Sequence, residues 1–210
     1  MDNAAQLHPE SRTLADFRAD DSLARAEREA LGCARTVVTP HTEIARLFGP
    51  KARRLEWALP PATTPPRRGT KIIFPASTLG RKGAYELRAA ARNLELEIVI
   101  VGAELEEHGF WSGMRTSSKV YDETWLDEAS AVVLPSFVEH QPRRLLQAVQ
   151  SGVPVIASSA CGLGGLDGVI SIPEGDVGAL QLELMKLDCR PLASSTFTES
   201  DIVHPAAAQV

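Results

Sequence analysis

The run AVVLPSFVEHQPRRLLQAVQSGVPVIA, residues 131–157, constrains this chain more than any other stretch. An apolar segment at 131–134 enters a Pro135-Ser136 turn and an acidic loop at Glu139. A helix is predicted from about Pro142 to Gln150, with Gly152 as its stop and a second apolar strand at 153–157. Such a strand–loop–helix–strand unit puts Glu139 at the carboxyl end of a buried parallel strand, the edge where open α/β sheets bind ligands. Pro142 suits a first helical turn, where its missing N–H is not needed and the other amides are left to meet an anion. The unit points to ligand recognition, and to a phosphorylated ligand.

The pattern extends in both directions. DSLARAEREAL predicts a helix over 22–31, with Asp20, Asp21 and Ser22 as capping candidates and Gly32 as the stop. A short strand at 35–39 follows, then a helix opened by Pro40-His41-Thr42-Glu43 that runs to Phe48, then an extended piece at 54–59. Pro60, Pro61, Pro65 and Pro66 make a stiff, polyproline-like linker, and the domain boundary is placed there. Beyond it, strands are predicted at 71–75, 96–101, 119–121, 131–134, 153–157 and 169–172, and helices at 83–94, 125–129, 142–150 and 177–187. LEIVIV at 96–101 is nearly all apolar, as a strand covered on both faces must be. The expected fold is α/β: a Rossmann-like parallel sheet with helices on both faces, plus a partial amino-terminal α/β remnant. The expected organisation is a remnant at 1–60, a linker at 61–70, the main domain at 71–188 and a disordered or loosely docked Ser/Thr/Ala-rich tail at 189–210.

A net charge of −5 argues against a nucleic-acid partner, although basic residues cluster at Arg53-Arg54, Arg67-Arg68, Arg81-Lys82 and Arg143-Arg144. Cys33, Cys161 and Cys189 are odd in number and widely spaced, so each is expected to be a free, buried thiol in a reducing compartment. The start, MDNAAQLHPESRTLADF, has no apolar h-region, and no apolar run approaches membrane-spanning length. A cytosolic location is expected, with association at a membrane surface left open. No metal-ligand spacing appears, nor G-x-S-x-G, nor G-x-G-x-x-G after the first strand; neither metal nor cofactor is expected. Glu104, Glu106 and Glu107 read as a solvated face, Asp176 as a helix N-cap and His41 as a surface or packing residue. No role is assigned to His8, His108 or His204. Gly162, Gly164 and Gly165 read either as a flexible loop or as a place of close backbone approach.

The 131–157 run resembles the donor-binding signature of retaining GT-B glycosyltransferases of the family 4 type, P-S-x-x-E-G-x-x-x-x-x-L-E-A-x-A-x-G-x-P-V-I. Pro135, Ser136, Glu139, Leu146, Ala148, Gly152, Pro154, Val155 and Ile156 match in register. His140 stands where the family has glycine, and Gln147 stands where it has the second glutamate of the E-x7-E pair. The loop PASTLGRKGAYEL is similar to the family's G-R-x-x-x-x-K-G: Lys82-Gly83 match, whereas the arginine position falls on Ser77. Pro173, Gly175 and Asp176 match its P-x-G-D.

The resemblance implies that Glu139 orients the donor sugar as the catalytic residue, that Lys82, with Arg81, neutralises the leaving diphosphate, and that Gln147 meets the ribose. Ser77, Gly83, Gly102 and His140 complete the implied donor-binding set. A neutral amide at 147 lacks the charge-assisted strength of a carboxylate. The resemblance covers the carboxyl-terminal, nucleotide-sugar-binding half and only the end of the other half. The chain is therefore expected to be truncated at its amino terminus, to use a nucleotide sugar and an unidentified glycan, lipid or small-molecule acceptor, and to form a homodimer or pair with a chain supplying the missing domain. Two alternatives to a transferase remain: a non-catalytic nucleotide-sugar-binding module, and another Rossmann-like enzyme such as an epimerase.

Overall fold

The computed structural model of the chain describes residues 2–16, 20–61 and 65–188. Two short helices, α1 (Asp2–Leu7) and α2 (Arg12–Asp16), come first. They are followed by α3 (Asp21–Cys33), β1 (Val37–Thr39), α4 (Thr42–Phe48) and β2 (Ala52–Arg54). The main domain contains β3 (Lys71–Phe74), α5 (Ala84–Ala91), β4 (Glu97–Ile100), β5 (Arg115–Ser118) and β6 (Ala129–Leu134). It closes with α6 (Arg143–Gln150), β7 (Val155–Ser158), β8 (Val169–Ile172) and α7 (Val177–Asp188). The expected tail at 189–210 lies outside the described residues, as do positions 62–64 of the linker.

The six-stranded sheet has the order β5-β4-β3-β6-β7-β8, and every neighbouring pair is parallel. The chain runs outward from β3 to β5, then returns across β3 to lay down β6, β7 and β8. Right-handed crossovers in the two directions put α5 and α6 on opposite faces, and α7 packs against α5. The reversal falls between β3 and β6, and their carboxyl ends part there to form a crevice.

Ile72, Ile73, Phe74, Ile98, Ile100, Val132, Val133, Val155 and Ile156 form the heart of one continuous core. These are the apolar runs visible in the sequence, and burial of both sheet faces is what requires them. Corrections fall where no apolar pattern exists. The third strand is Arg115–Ser118 rather than 119–121; it is a mostly exposed edge, so its polar sequence carries no burial signal. Residues 125–129 do not form a helix, because Glu128 takes φ 69° and Ala129 already belongs to β6. The crossover helix is shorter than 83–94, and Pro142 sits at the N-cap of α6 rather than inside its first turn. Cys161 is buried, and burial pushes its thiol up to about 12, whereas Cys33 is exposed at the end of α3, contrary to expectation.

Strands β1 and β2 form a separate two-stranded parallel sheet. It meets the main domain through His41, which caps α4 through Ile44 N and lies 3.1 Å from the Ala160 carbonyl oxygen. Among the described residues from Leu55 to the start of β3 there is no helix or strand, and of the extended piece expected at 54–59 only Arg54 belongs to a strand, β2.

Candidate functional site

A cleft of about 330 Å³ opens where β3 and β6 end. One wall is the loop after β3, with Ser77, Arg81 and Lys82; the other is the loop and first turn after β6, with Glu139, Pro142, Arg143 and Arg144. Gly83 lets these walls approach, and Gly102, after β4, lets the β3 loop pack against the end of β4. A Cβ on Gly83, whose φ is +78°, would lie 2.1 Å from the Pro135 carbonyl oxygen. A Cβ on Gly102 would lie 2.4 Å from Ser77 N. Both positions belong to the implied donor set, and both act here by backbone packing. The loops are also stitched together: Phe137 N donates to the Arg81 carbonyl at 3.0 Å, and the Ser136 hydroxyl lies 3.0 Å from the same oxygen.

Inside the cleft Lys82 Nζ donates to Glu139 Oε2 at 2.6 Å, with only 16% and 13% of the two side chains exposed. Glu139 Oε1 accepts the Gln141 amide at 2.9 Å. Burial pushes the Glu139 carboxyl up, but the Lys82 ammonium and the Gln141 amide outweigh it and hold the group below its ordinary value. Ser77 lines the cleft, and its Oγ accepts from Ala103 N. His140 is exposed beside Glu139 and does not line the cleft. Gln147 lies one turn further along α6, where its Oε1 accepts from the Tyr121 hydroxyl at 2.6 Å. The structure thus brings together Ser77, Arg81, Lys82 and Glu139, and leaves Gln147 and His140 outside the cleft lining.

Sequence reasoning passed over Arg144 except as part of a charge cluster. Its Nη1 donates at 2.8 Å to both the Pro75 and Val101 carbonyls, at the ends of β3 and β4, and its guanidinium lies 4.3 Å from the Tyr121 ring centroid. The adjacency of two arginines at a helix start was the available signal. Their reach across the sheet edge was not.

Two further expectations are corrected around the cleft. Glu106 is not part of a solvated face: its carboxylate accepts from Ser11 Oγ, Thr13 Oγ1, Gly80 N and the Tyr85 hydroxyl. Glu104 accepts from the amides of Gly109 and Phe110. His8, to which no role was assigned, bonds the buried Glu86 at 2.5 Å and stacks on Tyr85. These contacts dock α1 and α2 beside the loop that carries Lys82. Asp176 caps α7 through Ala179 N, as expected. Gly162 makes its close approach to the His41 ring, which a Cβ would meet at 2.2 Å, so His41 is a packing residue.

A parallel α/β sheet with a basic, Glu139-bearing cleft at its topological switch point has the architecture in which open sheets place a ligand site. The family model for glycosyl transferases group 1 matches residues 72–187, and the chain belongs to that family. No curated protein matches the chain. Among solved structures it is similar to TarM, with a TM-score of 0.61 at 16% identity over 82% of this chain and 41% of that one. It is also similar to sucrose-phosphate synthase from Thermosynechococcus elongatus, with a TM-score of 0.55 at 19% identity over 81% and 53%. The lipopolysaccharide outer core galactosyltransferase WaaB gives a TM-score of 0.56 at 17% identity over 76% and 54%. At these identities the likeness is one of fold, the GT-B fold. The chain spans about half, or less, of the length of these structures. No described helix is long and apolar enough to cross a membrane.

Proposed function

We propose that the cleft between β3 and β6 binds the diphosphate of a nucleotide sugar, and that the chain serves glycosyl transfer with this sugar as donor. The observation that carries the reading is the buried Lys82–Glu139 pair at the switch point, between two loops that meet where Gly83 packs on Pro135. A diphosphate entering the cleft competes for the Lys82 ammonium, and that exchange frees the Glu139 carboxylate to accept hydrogen bonds from sugar hydroxyls. Lys82, with Arg81 beside it, then stabilises the charge that grows on the diphosphate as the anomeric C–O bond breaks. The new bond forms to a hydroxyl oxygen of an acceptor whose identity is open, with retention of configuration, and the hydroxyl proton passes to the departing diphosphate. A mutant TarM from S. aureus has been solved in complex with UDP, fondaparinux and alpha-GlcNAc-glycerol, which supports a diphosphate ligand for this fold.

The other expected reading, binding without transfer, has one observation in its favour. Position 147 carries an amide whose oxygen is already taken by Tyr121. Calorimetric titration with uridine and guanosine diphosphates tests the site. Lys82→Ala is expected to weaken binding roughly tenfold or more, as loss of a charge-assisted bond does. Unchanged affinity removes Lys82 from the site. Radiolabelled sugar transfer by the 210-residue chain, over a panel of nucleotide sugars and acceptors, then separates transfer from binding alone.

A further inference from the structure

Lys82 is paired with Glu139 until a diphosphate competes for it. Arg144 is in a different position. Its contacts are two main-chain carbonyls and an aromatic ring, all of them uncharged. Both carbonyl bonds use Nη1, and among the described residues the other two guanidinium nitrogens have no hydrogen-bond partner. Carbonyl dipoles at the ends of β3 and β4 hold a cation in place but do not cancel its charge. A half-buried guanidinium lining a cleft with its charge uncompensated is costly unless an anion arrives.

The side chain is also locked. Tyr121 lies under the guanidinium, its ring 5.5 Å from that of the buried Trp125, and its hydroxyl is tied to Gln147 one turn along α6. The planar fork is thereby held by the two carbonyls at the strand ends and by the ring of Tyr121. A pre-oriented fork suits two phosphate oxygens at once, which an ammonium cannot match.

We propose that Arg144 is a diphosphate-binding residue of the cleft and that Tyr121 is its positioning residue. This deepens the nucleotide-sugar reading and rests on it. The alternative is that Arg144 merely braces the ends of β3 and β4, and the two differ in what a mutation moves.

The test is titration of uridine diphosphate and uridine monophosphate into the wild-type chain and into Arg144→Ala, Arg144→Lys and Tyr121→Leu, with melting temperatures alongside. Arg144→Ala is expected to weaken diphosphate binding by about tenfold to a hundredfold, the range for a lost bond to a charged group. The monophosphate should lose less, and Arg144→Lys should fall between alanine and wild type. Tyr121→Leu is expected to weaken the diphosphate several-fold with the charge still present. If Arg144→Ala does not fold, Arg144→Gln, which keeps donors for the carbonyls but no charge, decides the same point. A lowered melting temperature with wild-type diphosphate affinity in the uncharged variant makes Arg144 a brace and overturns the proposal alone. No diphosphate binding by the wild-type chain overturns the reading of the cleft together with it.

Discussion

Residues 20–61 and residues 71–188 both contain well-formed helices and parallel strands, but they treat their apolar side chains in opposite ways. The large core cluster begins at Ile72 and draws on every strand of the main sheet except β5. In the earlier segment, neither α3 nor α4 has a buried residue, and Leu23, Val38 and Leu47 are more than half exposed. Periodicity and capping are enough to specify a helix such as α3, whose Asp20 accepts from Ser22 N. They do not specify burial, which requires a partner layer. The cleft lies at the carboxyl edge of the sheet that holds the buried core.

The largest test of this contrast is in the cores. Phe74→Ala is expected to cost about 3–5 kcal/mol through lost burial and a residual cavity, whereas Leu23→Ala should stay within about 0.5 kcal/mol. Chemical denaturation measures both. An equal loss at Leu23 would show that the earlier segment is covered in solution.

Next in size is Gly83, where the two walls of the cleft meet. Gly83→Ala puts a Cβ against the Pro135 carbonyl at a positive φ, so it is expected to destabilise by more than about 1 kcal/mol. Alanine at Gly109 also has a positive φ but meets nothing within 4 Å, and should cost less. Comparable losses would mean that backbone conformation, and not the approach of the two walls, makes Gly83 necessary.

Glu106 joins the amino-terminal segment 2–16 to the main domain, since it holds Ser11 and Thr13 against Gly80 and Tyr85. Glu106→Ala is expected to cost about 1–3 kcal/mol by leaving donors unsatisfied. It should also make residues 2–16 more sensitive to proteolysis than the main domain, as limited digestion would show.

A smaller effect is expected from pH. The folded Glu139 titrates below its ordinary value, so its pairing contributes stability that is fully present above the unfolded value, about 4.3, and is lost as pH falls through the lower folded value. Glu86 is shifted the other way, raised by burial against the pull of His8. It favours folding at acid pH and loses that contribution as pH rises through its folded value. Glu139→Gln should therefore differ least from wild type in acid, while Glu86→Gln should gain on wild type as pH rises. Reversed trends would contradict the assigned environments. Least of all, Gln147→Glu should alter diphosphate affinity little and strengthen the bond from Tyr121, because Gln147 stands outside the cleft lining. A large gain in affinity would move the ribose contact back to position 147.

What the sequence revealed follows the same contrast. Strands β3, β4, β6 and β7 were legible because burial on both faces leaves continuous apolar runs. The loops carrying Lys82 and Glu139 were legible because they follow such strands. Strand β5, RTSS, was displaced by several residues because a polar edge carries no periodic signal. Glu106 was misread because its partners Ser11 and Thr13 lie more than 90 residues away, and no local pattern marks such a pairing. Arg144 was passed over for the same reason, its carbonyl partners lying 69 and 43 residues away.

Backbone hydrogen exchange, measured with and without saturating uridine diphosphate or guanosine diphosphate, locates the ligand site on the fold. Binding at the switch point should slow exchange in residues 76–84 and 136–147, the two walls of the cleft, and leave α3, β1, α4 and β2 unchanged. Protection centred on residues 20–61, or none at either wall with both nucleotides, would contradict a donor site between β3 and β6.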